Sequence, residues 1–173
     1  MNLIVSADAA WGIGRDNQLL CWLRADMKYF KEQTTGHIVV MGRRTLESMP
    51  QRRPLPKRRN IVLSSQADYA VAGAEVAHSL TELAALLLPL PSEQIYIIGG
   101  ASLYRIMLPF CRYASVTRLE ATFAADRFFP YLDAAAGWRQ FCVSGRREEN
   151  GVGFRFVSYE NIAVRDLREL VGR

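Results

Sequence analysis

The sequence has no apolar run long enough to span a membrane. Its longest apolar stretches, such as residues 83–90, fall short of the roughly 20 residues that a transmembrane helix needs. No basic segment precedes the apolar residues near the N-terminus, as one does in a secretory signal peptide. These absences disfavour membrane-spanning and exported proteins, and we expect a cytoplasmic one.

Cysteine is also scarce, and its spacing excludes two common kinds of framework. The three cysteines, Cys21, Cys111 and Cys142, are odd in number and widely separated. Their spacing matches neither a zinc site nor a disulfide-stapled domain. We interpret them as buried or free thiols and expect no metal.

Internal repeats, low-complexity tracts and flexible linkers are absent from the sequence as well. A chain of 173 residues, 50% of them hydrophobic, fits one domain that buries about two thirds of its unfolded surface. We therefore expect a single folded domain. Residues 161–173 fit either an amphipathic helix or a frayed extension.

Positive charge is in excess, with a formal net charge of +5. Basic residues cluster at positions 43–44, 52–53 and 57–59. Aromatic residues are not interleaved with them, as they would be in a stacking surface for nucleic acid. We therefore favour a small anionic ligand and keep nucleic-acid binding as the alternative.

The first two thirds of the chain alternate between short apolar segments and segments with helical spacing, which predicts a parallel α/β sheet. The expected strands are residues 3–7, 37–41, 60–63, 75–77 and 94–98, and the expected helices are residues 25–33, 44–48, 80–88 and 102–108. The segments after Pro109 alternate without a long helix, which predicts antiparallel edge strands at residues 115–123, 138–144 and 154–159. A hairpin turn is expected at residues 149–151.

Residues suited to an anion follow three of the predicted strands: Gly42 with Arg43, Arg44 and Thr45; Ser64 with Ser65; and Gly99 with Gly100. The carboxyl ends of parallel strands share one edge of the sheet, where ligands bind, and helix N-termini favour phosphates. Each strand end alone also fits an ordinary turn, and none matches GxGxxG or a P-loop. Together the three ends favour a nucleotide or dinucleotide site.

Asp26 and Thr117 are polar residues in apolar surroundings. Asp26 falls in the first turn of a predicted helix, where an acid complements the helix dipole, although the neighbouring Met27 and Phe30 also allow a buried orientation. Thr117 shares a strand face with apolar residues of 119–123, and leaving its hydroxyl unpaired there would cost about 1–3 kcal/mol. Its partner is either a backbone group or a carboxylate, and the residues alone leave both open.

With these segments assembled, the sequence closely resembles dihydrofolate reductases of the bacterial chromosomal type over residues 2–160. The matching segments occur in family order: LIVSADAAWGIGRDNQLL, ADMKYFKEQT, VVMGRRTLESMP, RPLPKRRNIVLSSQ, IYIIGGASLYRIMLP, VTRLEATFAADRFFP and GFRFVSYE. The resemblance implies an α/β fold with one domain, residues 1–162, and a C-terminal tail, residues 163–173. The domain would hold a mostly parallel eight-stranded sheet with antiparallel C-terminal strands, flanked by four helices.

The resemblance also implies reduction of 7,8-dihydrofolate by NADPH, with hydride added to C6 and a proton to N5, in support of one-carbon metabolism and thymidylate synthesis. Asp26 and Thr117 would be the catalytic pair, while water delivers the proton and the loop 9–23 closes over the site. The implied substrate pocket consists of Ile4, Ser6, Met27, Phe30, Met49, Leu55, Arg58, Ile98 and Tyr104. The implied NADPH site consists of Ser6, Ile13, Asn17, Leu19, Gly42, Arg43, Arg44, Thr45, Leu63, Ser64, Ser65, Gly99, Gly100, Ala101, Ser102 and Leu103.

Within these sets, Arg58 would clamp the α-carboxylate of the glutamate tail, and Arg44 and Ser64 would hold the 2'-phosphate of the cofactor. We expect a monomer whose partners are small molecules, without nucleic acid or membrane. The pyrimidine reductase of riboflavin synthesis is the alternative enzyme, because it shares the sheet and the NADPH site. It lacks a segment like ADMKYF, which argues against it here.

The sequence departs from the family at three places. Cys21 stands where the family usually has tryptophan, with Trp22 displaced by one position, and Arg24 stands where the family has proline. An extra residue within 50–53 lengthens the loop beside the expected tail site. Arg118, next to Thr117, is interpreted as a surface residue.

Overall fold

The computed structural model describes residues 1–171. Its strands are β1 (Asn2–Ala7), β2 (Gly12–Gly14), β3 (Ile38–Gly42), β4 (Arg59–Leu63), β5 (Glu75–Ala77), β6 (Ile95–Gly99), β7 (Tyr113–Leu119), β8 (Arg127–Phe128), β9 (Trp138–Val143), β10 (Arg147–Glu149) and β11 (Val152–Asn161). Over the same residues the α-helices are α1 (Arg24–Thr34), α2 (Arg43–Ser48), α3 (Leu80–Leu87) and α4 (Ala101–Met107).

The main sheet has the strand order β10-β11-β7-β1-β6-β3-β4-β5, and β9 also pairs with β11. Strands β1 and β3 to β7 run parallel, whereas β9, β10 and β11 pair in antiparallel fashion. Because β9 and β10 pair with different parts of β11, they share one edge of a sheet that is eight strands wide. The predicted α/β fold is confirmed.

The central strands form where β-branched and other apolar residues follow one another without interruption. In β3, residues 38–41 are all buried, and β4 and β6 contain similar buried runs. Continuous apolar runs of this kind are typical of parallel strands that are covered on both faces. The hydrophobic core therefore lies on both sides of the sheet.

Strand β7 ends at Leu119 instead of continuing to residue 123. Beyond its end, the Glu120 N–H donates to the Gly153 carbonyl at 2.7 Å, and the Ala121 carbonyl accepts from the Ala9 N–H at 2.9 Å. These contacts turn the chain towards the segment after β1. There β8 pairs with β2 in a small second sheet that the sequence pattern did not predict.

The C-terminal segment forms neither a long amphipathic helix nor a frayed end within the described residues. Strand β11 continues to Asn161, and a single 3-10 turn at Leu167–Leu170 places Leu170 in the main core. Residues 172 and 173 of the expected tail lie outside the described residues. Across residues 1–171, none of the helices is both long and apolar enough to cross a membrane.

Candidate active site

The three strand ends singled out in the sequence lie side by side at one edge of the sheet. Gly42 of β3 is opposite Leu63, the last residue of β4, and Met41 is opposite Gly99 of β6. A Cβ added to Gly100 would come within 3.2 Å of Thr45 Oγ1, so the two loops approach closely. The parallel pairing therefore gathers residues that are far apart in the sequence.

A cavity of about 150 Å³ opens at this edge. Ten of the residues predicted from the sequence line it: Ser6, Ile13, Asn17, Leu19, Thr45, Ile98, Gly99, Gly100, Ala101 and Tyr104. A larger cavity of about 830 Å³ lies at the opposite edge, where β1, β6 and β7 begin. None of the predicted site residues lines that larger cavity, so we assign the site to the smaller one.

The walls of the smaller cavity suit a phosphate-bearing ligand. Helices α2 and α4 both begin after a glycine, and neither helix is capped by a side chain of residues 1–171, so their first N–H groups are available to bind an anion. Gly99 has a φ of 120°, which side chains rarely tolerate, and a Cβ there would lie 3.2 Å from Tyr104. The backbone can thus approach a ligand closely at this point.

Two arginines follow Gly42, and their surroundings differ. Arg43 pairs with Glu47 at 2.9 Å and lies over the ring of Tyr69, whereas Arg44 is exposed and forms no ion pair within residues 1–171. The Asn17 side-chain amide donates to the Arg44 carbonyl at 3.0 Å. Arg44 is therefore the more available of the two cations.

The serines after β4 are also dissimilar. Ser64 is buried, and its Oγ accepts from the Gln66 N–H at 3.2 Å, whereas Ser65 is exposed. Leu63 is half-buried against the main core. Among the residues after Gly100, Ser102 is exposed, but the Leu103 side chain is buried in the main core. Leu103 therefore has only its backbone to offer a ligand.

Asp26 and Thr117 form a buried pair, although 91 positions separate them in the chain. The Thr117 hydroxyl donates to Asp26 Oδ1 at 2.6 Å, and Asp26 is only 7% exposed. Burial raises the pKa of Asp26, and the hydrogen bond from Thr117 opposes the rise. Asp26 Oδ2 has no hydrogen-bond partner within the described residues, so it is left for a ligand.

An apolar wall adjoins this pair. The residues Ile4, Phe30, Met49, Leu55 and Ile98 belong to one cluster, which joins β1, α1, the loop after α2 and β6. Met27, on the turn of α1 after Asp26, is half-buried. The structure therefore brings the acid and the predicted apolar contacts into one region of the sheet edge.

Tyr104 connects this wall to the glycine-lined cavity. The Tyr104 hydroxyl donates to the Ile4 carbonyl at 2.6 Å, and the ring packs edge-on against Phe129. Burial raises the pKa of the Tyr104 phenol, so the group stays protonated at neutral pH.

Arg58 is held in place at the outer end of the apolar wall. Its Nε donates to Thr34 Oγ1 at 2.9 Å, one terminal nitrogen donates to the Pro56 carbonyl at 3.0 Å, and the other donates to Thr35 Oγ1 at 3.2 Å. A guanidinium has five N–H groups, so one remains on each terminal nitrogen. That remaining pair matches the two oxygens of a carboxylate.

The segment before Asp26 shows how this chain accommodates its unusual residues. Arg24 and Ala25 begin α1, and their N–H groups donate to the two carboxylate oxygens of Glu149 at 2.8 and 3.0 Å. A proline at position 24 would lack one of these donors. Trp22 is 61% exposed, while Cys21 is half-buried, and burial together with Asp26 and Glu149 raises its pKa.

Several residues at the cavity were missed by sequence reasoning: Val5, Gly14, Arg15, Gln18, Ser48 and Arg127. Ser48 lies three positions after Thr45 in α2, so helical spacing alone would have found it. Arg127 reaches the cavity through the pairing of β2 with β8. Strands this short show no periodicity, and the sequence carried no signal for that contact.

Arg118 is not a simple surface residue. Its guanidinium donates to the Asp8 carbonyl at 2.9 Å and lies 4.0 Å from the ring centre of Trp11. It therefore braces the loop after β1 against β7.

Comparison with known proteins gives a consistent result. The sequence profile of the family described as dihydrofolate reductase matches residues 1–161. The dihydrofolate reductase of Mycobacterium tuberculosis (strain ATCC 25618 / H37Rv) is 39% identical over 161 residues, covering 90% of this chain and 95% of that protein. The enzyme of the same name from Bacillus subtilis (strain 168) is 37% identical over 164 residues, covering 92% and 94%.

A solved structure agrees with the sequence relatives. Dihydrofolate reductase from Enterococcus faecalis, complexed with NADP(H) and RAB-propyl, is similar with a TM-score of 0.78 and 31% identity, covering 92% of this chain and 94% of that one. The profile match extends from β1 to the end of β11 and includes the helix that carries Asp26 and all three strand ends. This chain belongs to the dihydrofolate reductase family.

Proposed function

We propose that this protein catalyses the NADPH-dependent reduction of 7,8-dihydrofolate to 5,6,7,8-tetrahydrofolate. The observation that carries the proposal is the buried Asp26–Thr117 pair beside the glycine-lined edge of the sheet. A lone acid held by a hydroxyl in an apolar wall fits a flat heterocycle with an amidine-like edge. The neighbouring cavity, with its free helix N-termini, fits a dinucleotide.

Asp26 would orient the pterin and favour its protonated form. Its Oδ1 is occupied by Thr117, so Oδ2 would accept hydrogen bonds from the amidine-like edge of the ring. Because burial raises the pKa of this acid, its charge is balanced most readily by a protonated partner. Asp26 would act from the edge of the ring, and water would deliver the proton to N5.

The apolar wall would hold the two faces of the pterin. Ile4, Met27, Phe30, Ile98 and Tyr104 would contact the ring. Met49 and Leu55 would contact the rest of the substrate, and Leu55 is fixed because Asn60 exchanges two hydrogen bonds with its backbone at 2.9 Å each. Arg58 would bind the α-carboxylate of the glutamate tail through its two remaining N–H groups.

The glycine-lined edge would bind the cofactor. NADPH, when bound, supplies the hydride that is added to C6 of the pterin. Ser6, Ile13, Asn17 and Leu19 would cover the cofactor from the loop side. Gly42 to Thr45 and Gly99 to Ser102 would bind its phosphates through their backbone N–H groups, with Arg43, Leu63 and Leu103 supporting them.

The 2'-phosphate would be recognised chiefly by Arg44. Its guanidinium is exposed and unpaired within residues 1–171, whereas the Ser64 hydroxyl is buried and already accepts a hydrogen bond. Ser65, which is exposed, would supply the hydroxyl contact alongside Ser64. This arrangement would distinguish NADPH from NADH by the Arg44 cation and the hydroxyls of these two serines.

The proposal is tested by mixing the purified protein with NADPH and dihydrofolate and following the near-ultraviolet absorbance of the reduced cofactor. We expect a loss of absorbance that depends on both reagents and is much slower with NADH. Turnover of NADPH with a pyrimidine precursor of riboflavin, but not with dihydrofolate, would favour the alternative enzyme. The absence of folate-dependent oxidation would contradict the proposal.

The proposal extends to the oligomeric state and the cellular location of the protein. We propose a cytoplasmic monomer that binds small molecules without nucleic acid, since Arg44 and Arg58 lie beside a small-molecule site. Free thiols at Cys21, Cys111 and Cys142 suit a reducing compartment. Size-exclusion chromatography with light scattering, and a salt-dependent RNA-binding assay as a negative control, test these points.

A further inference from the structure

Asp8 is a fully buried acid that the catalytic proposal does not use. It lies just after β1 and is 0% exposed. Its Oδ1 accepts from the Ala10 N–H at 2.9 Å and from the Gly12 N–H at 2.7 Å, and its Oδ2 accepts from the Phe123 N–H at 2.8 Å. Hydrogen bonds from backbone N–H groups to a carboxylate are among the stronger ones in proteins.

These hydrogen bonds tie together two segments that are distant in sequence. Ala10 belongs to the loop between β1 and β2, Gly12 is the first residue of β2, and Phe123 belongs to the segment between β7 and β8. A second contact, from the Ala9 N–H to the Ala121 carbonyl at 2.9 Å, joins the same two segments. Arg118 adds a third tie by donating to the Asp8 carbonyl.

The tied segments lead directly to the cofactor side of the cavity. Gly12 begins β2, which pairs with β8 and carries Ile13 into the cavity wall. Asn17 follows and donates to the Arg44 carbonyl. A Cβ added to Gly12 would come within 3.1 Å of Asp8 Oδ2, so Asp8 packs closely against the start of β2.

We propose that Asp8 is a positioning residue for the cofactor half of the site, acting through β2 on Ile13 and Asn17. Its carboxylate binds neither member of the acid pair, because Asp26 lies on α1 and Thr117 lies on β7, and its hydrogen bonds go to Ala10, Gly12 and Phe123 instead. The inference rests on the proposed function for the identity of the ligand, NADPH. Loss of Asp8 is therefore expected to weaken cofactor binding while leaving dihydrofolate binding intact.

The test compares Asp8→Ala and Asp8→Asn with the parent protein by isothermal titration calorimetry with NADPH alone. We expect the dissociation constant to rise by about tenfold for Asp8→Ala. Asp8→Asn should give an intermediate value, because its amide oxygen still accepts from Ala10 and Gly12 but its amino group cannot accept from Phe123. Amide exchange at Gly12 and Phe123 should accelerate in the same order.

Steady-state kinetics separate positioning from simple destabilisation. KM for NADPH should rise in the Asp8 variants, while KM for dihydrofolate and the pH profile stay at the parent's values. Asp166→Ala is the matched control, because Asp166 also accepts a backbone N–H, from Arg168 at 2.8 Å, but lies far from the site on the surface. This control should leave both KM values unchanged.

The outcomes against the inference are distinct from those against the function. If Asp8→Ala binds NADPH with the parent's affinity and shows only a lower melting temperature, the positioning role of Asp8 is overturned. If Asp8→Ala does not fold, a parent-like affinity in Asp8→Asn overturns it instead. A parent protein that binds NADPH without reducing dihydrofolate would defeat the proposed function alone, since the calorimetric comparison needs no turnover.

Discussion

At the scale of single residues, the function proposed for Asp26 has a cost in stability. The pKa of this acid in the folded chain is raised above its ordinary value of 3.8, chiefly by burial. A raised pKa means that its contribution to stability is fully present below pH 3.8 and is lost as the pH rises through the folded-state pKa. The charged form of Asp26 is therefore less compatible with the fold than the neutral form.

Substituting Asp26→Asn should separate these two effects. The amide oxygen still accepts from Thr117, so we expect the free energy of unfolding at neutral pH to rise, and the gain to disappear at acidic pH. Turnover should fall by on the order of a hundredfold at neutral pH, and by less at acidic pH, where the substrate is already protonated. Urea unfolding across pH measures the change in stability, and kcat/KM profiles across pH measure the change in activity. Parent-like activity at every pH would show that Asp26 is not the acid of the pocket.

Thr117 controls where that acid titrates. Thr117→Val removes the one hydrogen bond that lowers the Asp26 pKa, so the pKa should rise and the pH dependence of kcat/KM should move to higher pH. Thr117→Ser keeps the hydroxyl and is the control. If the valine and serine variants share the parent's pH profile, the hydroxyl has no role in tuning the acid.

At the scale of elements, α1 depends on a carboxylate from another part of the chain. Its N-cap, Leu23, provides no side-chain hydrogen bond, and Glu149 at the β10–β11 hairpin accepts the Arg24 and Ala25 N–H groups instead. Asp26 is the next residue, in the same first turn, so the hairpin helps to place the helix that carries Asp26. These backbone hydrogen bonds lower the pKa of Glu149 below its ordinary 4.5.

Replacing Glu149→Ala should therefore loosen the start of α1. We expect a lower melting temperature at neutral pH and a higher KM for dihydrofolate. Because the folded-state pKa is lowered, the stabilisation is present above pH 4.5 and is lost as the pH falls through the folded value, so the difference between variant and parent should shrink in acid. Thermal melts across pH measure this, with Glu148→Ala as the neighbouring control; a pH-independent difference would contradict it.

The strands differ in how well they could be predicted from the sequence. The strands β3 and β6 were predicted to within one residue, because buried parallel strands are continuous apolar runs bounded by glycine. Strands β2 and β8 were not, because a strand of two or three residues has no pattern of its own and exists only through its partner. The glycine and hydroxyl strand ends were predictable from chemistry, but the Arg127 contact depends on that unpredicted pairing.

The two buried acids also differ in whether a local sequence pattern reveals them. Asp26 was noticed because it interrupts an apolar segment, and Thr117 because a buried hydroxyl needs a partner. Asp8 lies in an unremarkable ADAA segment, and its three backbone hydrogen bonds come from a loop more than a hundred residues away as well as from its own. Such loop contacts follow from tertiary closure, which no local pattern records.

At the scale of the whole molecule, the C-terminal segment braces the edge of the fold opposite the site. The Arg165 N–H donates to the Pro109 carbonyl at 2.9 Å, and Thr81 Oγ1 of α3 donates to the Leu170 carbonyl at 3.3 Å. Leu170 itself is only 5% exposed. We propose that residues 1–162 form the catalytic unit and that the following tail stabilises it without contacting ligands.

Leu170→Ala tests this division. Removing a buried leucine side chain should lower the free energy of unfolding by about 2 kcal/mol, while kcat and both KM values stay unchanged. Val164→Ala, at an exposed position of the same segment, should have little effect on either. Guanidinium unfolding and steady-state kinetics measure the two quantities; a changed KM for either ligand would show that the tail reaches the site.

The place of β1 in the sheet has a consequence for how the protein is made. β1 is the first strand of the chain, yet its neighbours are β6 and β7, which begin at residues 95 and 113. A ribosome that adds about 5–20 residues per second leaves the apolar faces of β1 without their neighbours for on the order of ten seconds. Nascent chains shorter than residue 95 should therefore be open to protease at β1 and bound by chaperones, and protection should arrive only as the last third of the chain emerges.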